Sequence, residues 1–308
     1  MNSIVITALS VGSILLLLFI YIRKKQATPR FSPFTENFLR EPGETLRERR
    51  EKLLEDLLDP VAMIIVLIGS IPFLVLTTKM PMNVILTGIV LLVFIYQLRK
   101  AKRILDSAIK IRLGLEGERV TGQELSLLMR DGAWVFHDLP YKYGNIDHVV
   151  IGAGGVFAVE TKAVSKPASA STGRPEATVE YNGKSIKFPH MEISQPLDQA
   201  RSHAKYLHQH IKEKLNIDTA VRPVVALPGW FVKWTGGSDV MVINPKRGHY
   251  LKKELSKNIL TPGDVHVIAG HFESVARSVR PGSKRLDPNA AEHYDFWMNP
   301  RYKPPSVD

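Results

Sequence analysis

Residues 146–162 read IDHVVIGAGGVFAVETK. Two runs rich in β-branched residues, 146–151 and 156–162, flank Gly152-Ala153-Gly154-Gly155 and predict a β-hairpin. Closing it symmetrically about Ala153 and Gly154 sets Asp147 directly opposite Glu160, and a four-residue loop over 152–155 keeps the same register. Cross-strand Cβ atoms lie about 4.5–5.5 Å apart. Glu160 and Lys162, two residues apart, share one face of their strand. Two facing carboxylates repel unless a cation lies between them. A hard divalent ion such as Mg²⁺ suits carboxylate and water ligands. It can bind a phosphate oxygen and lower the pKa of a bound water. Lys162 could then position that water or offset growing negative charge. The competing reading is that Asp147 and Glu160 are simply solvated, or that Lys162 pairs with one of them.

Outward from the hairpin, the pattern mixes strands and helices. Residues 133–136, 221–227, 239–243 and 265–268 read as strands, and 194–215 as a helix. Residues 178–188 (TVEYNGKSIKF) form a second hairpin signal with Asn182-Gly183 at its turn. This order suggests an α/β or α+β layer fold. Residues 166–176 read as a flexible loop, and the Pro-rich tail from Asp287 as irregular. The GKS of 183–185 is no phosphate loop, because Thr178 stands where the first Gly is needed. The Gly-rich 152–155 precedes a strand where a dinucleotide site needs a helix. His203, His208 and His210 share the predicted helix without a His-x-x-x-His pair, and read as surface histidines.

The first third of the chain is of a different kind. Residues 4–22, 61–78 and 82–98 are uncharged apolar runs of roughly spanning length. A cleaved signal peptide does not fit the first, since residues 1–3 carry no Lys or Arg and Arg23-Lys24-Lys25 follows the run. Nine Lys/Arg lie in residues 23–59, one between the second and third runs, and four at 99–103. The positive-inside rule then predicts three passes, the N-terminus outside, and everything after about Arg99 cytoplasmic at an inner or plasma membrane. Residues 40–58 carry a capping-box pattern, Thr45-Leu46-Arg47-Glu48, and read as an interfacial amphipathic helix. The spanning runs hold no Asp, Glu, Lys, Arg or His, which argues against a transport path.

The net charge of +11 divides accordingly. Residues 1–103 hold 14 Lys/Arg and 8 Asp/Glu, against 27 and 22 beyond. More than half of the excess therefore belongs to membrane flanks, and basicity alone does not argue for nucleic acid. The absence of Cys excludes disulfides, thiolate zinc sites, iron–sulfur clusters and a cysteine nucleophile.

Three motifs in order, Gly114-Leu-Glu-Gly-Glu-Arg-Val120, Ile146-Asp-His-Val-Val150 and Gly154-Gly-Val-Phe-Ala-Val-Glu-Thr-Lys162, resemble the nuclease-related domain called NERD. That family is related to the PD-(D/E)XK restriction-endonuclease-like superfamily, and the resemblance runs from about 113 to 215. It implies an α-β-β-β-α-β core, here preceded by three transmembrane helices. It implies that Asp147 and Glu160 are metal ligands for Mg²⁺ or Mn²⁺, that Lys162 is the catalytic lysine, and that Glu118 is a further acidic member. Glu116 is the competing choice for the last role. Gln195-Pro-Leu-Asp-Gln199 resembles the family's Gln-bearing segment, with Gln199 lining the site and Gln195 the weaker option. Ile146 stands where the superfamily motif has Pro.

The expected organisation is a membrane anchor over 1–103, a nuclease-like core over 104–220 and a continuation of the soluble part over 221–308. The expected function is metal-dependent hydrolysis of phosphodiester bonds, with DNA favoured over RNA and a lipid bilayer as the second partner. The rival reading is a non-catalytic membrane-tethered module that binds nucleic acid or a protein.

Overall fold

A computed structural model describes residues 36–77, 82–141, 144–167, 177–237 and 239–279. The chain forms two units. In one, whose described residues are 36–39 and 277–279, Phe38–Leu39 pairs antiparallel with Arg277–Val279. The other, 40–276, holds everything described below.

The second unit begins with three helices, α1 (Glu44–Asp56), α2 (Leu58–Thr77) and α3 (Met82–Ser126). α1 and α2 both pack along α3. α3 is 45 residues long and continues through residue 103 without a break. It has no Pro after Met82, and Gly88, Gly114, Gly117 and Gly122 do not interrupt it. A 3₁₀ turn, Leu127–Asp131, extends it to the αL residue Gly132.

One helix among the described residues, the stretch 84–131, is long and apolar enough to cross a membrane. Its most apolar window has mean hydropathy 1.8 and is not buried at all. The sequence reading expects three such helices; among the described residues one meets the criterion. Residues 61–77 of the second run belong to α2, while Thr78 and the 4–22 run lie outside the described residues. Ile65, Val66, Ile68, Val84, Ile89 and Leu92 all point outward.

After α3 come β1 (Trp134–Tyr141), β2 (Gly144–Gly152) and β3 (Gly155–Thr161), an antiparallel meander. Then follow three short strands, β4 (Thr178–Tyr181), β5 (Ile186–Lys187) and β6 (Glu192–Ile193). The β4–β5 turn is held by the Asn182 side-chain oxygen, which accepts from the backbone N–H of Lys184 and Ser185. Next are α4 (Gln195–Leu215), β7 (Val221–Ala226), β8 (Phe231–Trp234) and β9 (Met241–Ile243). The unit closes with α5 (His249–Leu255) and α6 (Pro262–Ala276).

The main sheet has the order β9-β7-β3-β2-β1, with β7 parallel to both β3 and β9. A smaller sheet has the order β6-β5-β4-β8. The order of α3, β1, β2, β3, α4 and β7 is the expected α-β-β-β-α-β succession, with the small strands inserted before its second helix. One face of the main sheet buries Val149, Ile151, Val156 and Ala158 under Ala204, Leu207 and Ile211 of α4 and Ile268 and Phe272 of α6. The other buries Val150, Phe157 and Val159 against Leu125 of α3 and Leu251 of α5. Strands covered on both faces explain the continuous apolar runs in β2 and β3.

Residues 265–268, expected as a strand, belong to α6. A reciprocal cap starts this helix: Thr261 Oγ1 donates to Asp264 Oδ2 at 2.7 Å and accepts from the Asp264 N–H at 3.1 Å. Pro262 at the first turn is pre-set for helix. Val265, Ile268, Ala269, Phe272 and Ala276 then bury at helical spacing.

Candidate functional site

The hairpin has the predicted register. Its pairs run from Gly152↔Gly155 to His148↔Val159 around the two-residue turn Ala153-Gly154. Asp147 and Glu160 are the next row, and there the ladder gives way to a side chain. Thr161 N–H donates to Asp147 Oδ2 at 2.7 Å. On its other side Glu160 is paired in parallel with Val225, and the Lys162 N–H donates to the Ala226 carbonyl at 2.9 Å. Both acids therefore lie in the middle of the sheet, near the carboxyl ends of its parallel strands.

α3 brings the third acid. Gly117 packs on Ala163: a Cβ there would stand 2.5 Å from the Ala163 Cβ. A side chain at 117 would push the helix away, so Gly117 lets Glu118 reach the end of β3. Glu116, its competitor, is exposed and pairs with Arg112 at 2.8 Å.

Glu118, Asp147 and Glu160 are 6%, 8% and 8% exposed. Burial raises all three, as expected for charges withdrawn from water. Burial, then the charges of Asp147 and Asp138, pushes Glu118 up to about 9, against a bond from the Gly43 backbone. Asp147 is pushed up to about 7, chiefly by burial, while the Thr161 N–H and Lys162 pull it down. Glu160 is raised by burial and by Asp147 and Glu118, with Lys162 opposing. Each acid is thus perturbed by burial and by another acid, and Lys162, half-buried at the end of β3, acts on two of them. Glu118 Oε2 has no hydrogen-bond partner among the described residues.

α4 contributes a residue that the sequence reading assigned to the surface. His203 is buried, 4% exposed, with Nδ1 3.4 Å from Glu160 Oε2 and no hydrogen-bond partner for that nitrogen among the described residues. Burial lowers it to about 4, so the imidazole is neutral at pH 7. Tyr141 meets its ring edge-on at 5.2 Å between centroids. Gln199 is half-buried one turn earlier on the same helix face. Gln195 opens the helix and is exposed. His208 contacts the Thr219 carbonyl at 2.7 Å, and His210 contacts His271 at 2.8 Å.

Among the described residues no group of three or more His, Asp or Glu is disposed to hold a metal ion. Mg²⁺, however, is ordinarily bound through one or two carboxylates, with waters and substrate phosphates completing its shell. Asp147 and Glu160 supply that number of carboxylates. The unpartnered Glu118 oxygen and the mutual repulsion of three buried acids fit a divalent cation in donor chemistry and in charge.

Beside this cluster lies a fourth acid with the opposite surroundings. Asp138, in the αL conformation at φ 50°, is fully buried. Its Oδ2 accepts from Arg40 Nε at 2.7 Å, from Arg40 Nη2, and from the Thr45 N–H and hydroxyl at 2.9 and 2.7 Å. Asn145 Nδ2 donates to Oδ1. The same segment bears on the site, because Gly43, the αL residue before α1, is the group whose backbone bonds Glu118.

Residues 113–228 match the family model of the nuclease-related domain, NERD. The matched stretch runs from the last part of α3 through β7 and contains Glu118, Asp147, Glu160, Lys162, Gln199 and His203. No curated protein and no solved structure matches the chain.

Proposed function

We propose that the chain is a membrane-anchored, metal-dependent nuclease that hydrolyses phosphodiester bonds of DNA or RNA. The observation that carries this reading is the mutual approach of three buried, proton-loving carboxylates, two of which also feel the Lys162 charge, inside a stretch that matches the nuclease-related domain. Asp147 and Glu160 would hold Mg²⁺ or Mn²⁺, which when bound supplies a Lewis acid for a phosphoryl oxygen and a water of lowered pKa.

The chain's own groups do the rest. Thr161 N–H fixes one Asp147 oxygen and leaves the other for the ligand side. Glu118, with one oxygen unpartnered and its proton held up to about pH 9 before a cation arrives, assists by giving up that proton or by balancing charge once a cation is bound. The Lys162 ammonium orients the attacking water or offsets the charge that grows on the phosphoryl oxygens. His203 stays neutral beside Glu160 and adds no competing positive charge. Gln199 lines the α4 side.

The anchor in this reading has three passes, with the N-terminus outside and the nuclease-like part cytoplasmic. The outward-facing aliphatic residues of α2 and the first half of α3 support it, as do Arg99, Lys100, Lys102 and Arg103 after the third run. α3 rises about 30 Å between Leu98 and Glu118, at about 1.5 Å per residue, which sets the acids clear of a bilayer ending near Leu98.

The test is cleavage of supercoiled plasmid and of single-stranded DNA and RNA by the full chain in detergent micelles, with Mg²⁺ or Mn²⁺. Cleavage that Asp147→Ala abolishes and Lys162→Met lowers about 10²–10³-fold is expected. Activity surviving both substitutions would contradict the assignment. Salt-dependent binding with no metal-dependent cleavage would favour the non-catalytic tether instead.

A further inference from the structure

The main sheet ends at β9, and beside that edge lies a groove of about 480 Å³ that the acidic site does not use. Its walls are largely apolar, and three aromatic rings stand out at its surface beside Val232, Met241, Val242 and Ile243. Phe231 and Trp234 of β8 are each 47% exposed, and Tyr250 of α5 is 60% exposed. Ring orientations are fixed from below: Trp234 Nε1 donates to the Val242 carbonyl at 3.0 Å, and Tyr181 meets the indole edge-on at 5.4 Å. The Arg247 guanidinium lies over the Phe231 ring, 3.8 Å from its centroid.

The groove carries positive charge and no acidic lining residue. The chain over 246–253 (KRGHYLKK) contains four Lys/Arg and no Asp or Glu. Lys252 is engaged by Asp131 at 2.8 Å; Arg247 lines the groove, and Lys246 and Lys253 are exposed nearby in sequence. Flat rings beside cations match flat, anion-linked groups better than acyl chains.

Register ties the groove to the acids. Glu160 pairs with Val225, and Val225 pairs with Val242, which lines the groove. Two strand spacings of about 4.8 Å set Val242 about 10 Å from Glu160, near the same carboxyl ends of the parallel strands. At about 3.4 Å per stacked base that is roughly three nucleotides.

We propose that this groove binds unpaired bases of a single-stranded nucleic acid, which stack on Phe231, Trp234 and Tyr250 while Arg247 and its neighbours track the backbone. The further statement that the strand then leads to Asp147 and Glu160 rests on the nuclease reading above.

The experiment measures fluorescence anisotropy of labelled dT15, an abasic strand of equal length and a 15-base-pair duplex. The full chain is used in detergent micelles with EDTA, so that binding is separated from cleavage. The wild-type chain is expected to bind dT15 about tenfold more tightly than the abasic strand or the duplex at equal salt. Trp234→Ala should remove that preference, and Arg247→Gln should weaken dT15 and the abasic strand together and flatten the salt dependence. Phe231→Leu and Tyr250→Leu keep apolar bulk, and their loss of preference carries the same meaning if Trp234→Ala does not fold. Equal binding of dT15 and the abasic strand would overturn the proposal. So would an unchanged preference in the folded variants, no binding at all, or capture of anionic vesicles in place of dT15. A preference that depends on these residues in a chain that never cleaves would leave the groove standing and sink the nuclease reading. Cleavage that groove variants leave untouched, with dT15 binding unchanged, would do the reverse.

Discussion

Asp138 and Asp147 occupy one row of the β1–β2 ladder, between the His137↔His148 and Leu139↔Ile146 pairs, and both are buried. Asp138 is surrounded by donors: Arg40, Thr45 and Asn145 between them satisfy both of its oxygens. Asp147 has one backbone donor and faces Glu118, Glu160 and Asp138. The first carboxylate has donors and a guanidinium of its own, whereas the second shares the single cation Lys162 with Glu160 while three other acids surround it. A buried acid whose partner is built in is structural. A cluster of buried acids left short of positive charge, in a chain that must still fold, points to a partner that arrives from solution.

The sharpest way to break this contrast is to remove the partner from one side and the charge from the other. Arg40→Ala leaves the Asp138 charge largely uncompensated and is expected to destabilise the chain by about 3–5 kcal/mol. Asp147→Asn retains an acceptor for the Thr161 N–H and removes a poorly tolerated charge, so it should raise stability at pH 8 by about 1 kcal/mol or more. Chemical denaturation of the full chain in micelles measures both. Equal destabilisation by the two would mean that the two aspartates do the same job. A fragment beginning at residue 104 lacks Arg40, Gly43 and Thr45 and should unfold for the same reason as Arg40→Ala.

pH sharpens the comparison. Asp147 binds its proton up to about pH 7 in the folded chain, against an ordinary value near 3.8, and Glu118 up to about 9, against 4.5. The folded state therefore holds more protons than the unfolded state over this window, and stability present below about pH 4 is lost as pH rises through 7 and toward 9. Buried His203 and His137, lowered to about 4, act in the opposite sense between about pH 4 and 6.5, so the signature is differential: without metal, the stability of the wild-type chain relative to Asp147→Asn should fall between pH 5 and pH 8. Adding Mg²⁺ or Mn²⁺ should raise the wild-type melting temperature more at pH 8 than at pH 5, because the cation must displace the carboxyl protons. A wild-type stability that gains on Asp147→Asn as pH rises in metal-free buffer would contradict the site's electrostatics.

The smallest expected effect is at His203. His203→Ala should weaken Mn²⁺ binding to the folded chain about 10-fold, through loss of the group that faces Glu160, and should also lower the melting temperature because it empties a buried position against Tyr141. Restoration by His203→Gln would show that a polar neighbour for Glu160 is what matters.

Much of the site was legible before the fold. The Asp147–Glu160 row follows from a short symmetrical turn, because a hairpin's register is fixed by its loop. The family resemblance singles out Glu118 ahead of Glu116, although the reason for the glycine before it, the approach of Ala163, is tertiary. His203 was misread as a surface residue, yet a signal existed. It lies three residues after Ala200 and four before Leu207, on the stripe of α4 that also buries Ala204 and Ile211. The helix at 262–276 was likewise decidable from Thr261, Pro262 and Asp264, but a four-residue apolar run taken alone does not separate strand from helix. The Arg40–Asp138 lock was not readable, since it joins residues 98 apart and no local pattern marks either end.

The most direct measurement is the number of protons released per Mn²⁺ bound near pH 7, obtained by calorimetric titration of the full chain in two buffers of different ionisation heat. Binding at one site with release of about one proton or more is predicted, with both lost in Asp147→Ala and Glu160→Ala. No saturable binding, or binding that releases no proton and survives those substitutions, would contradict the claim that these buried carboxylates are kept for a cation.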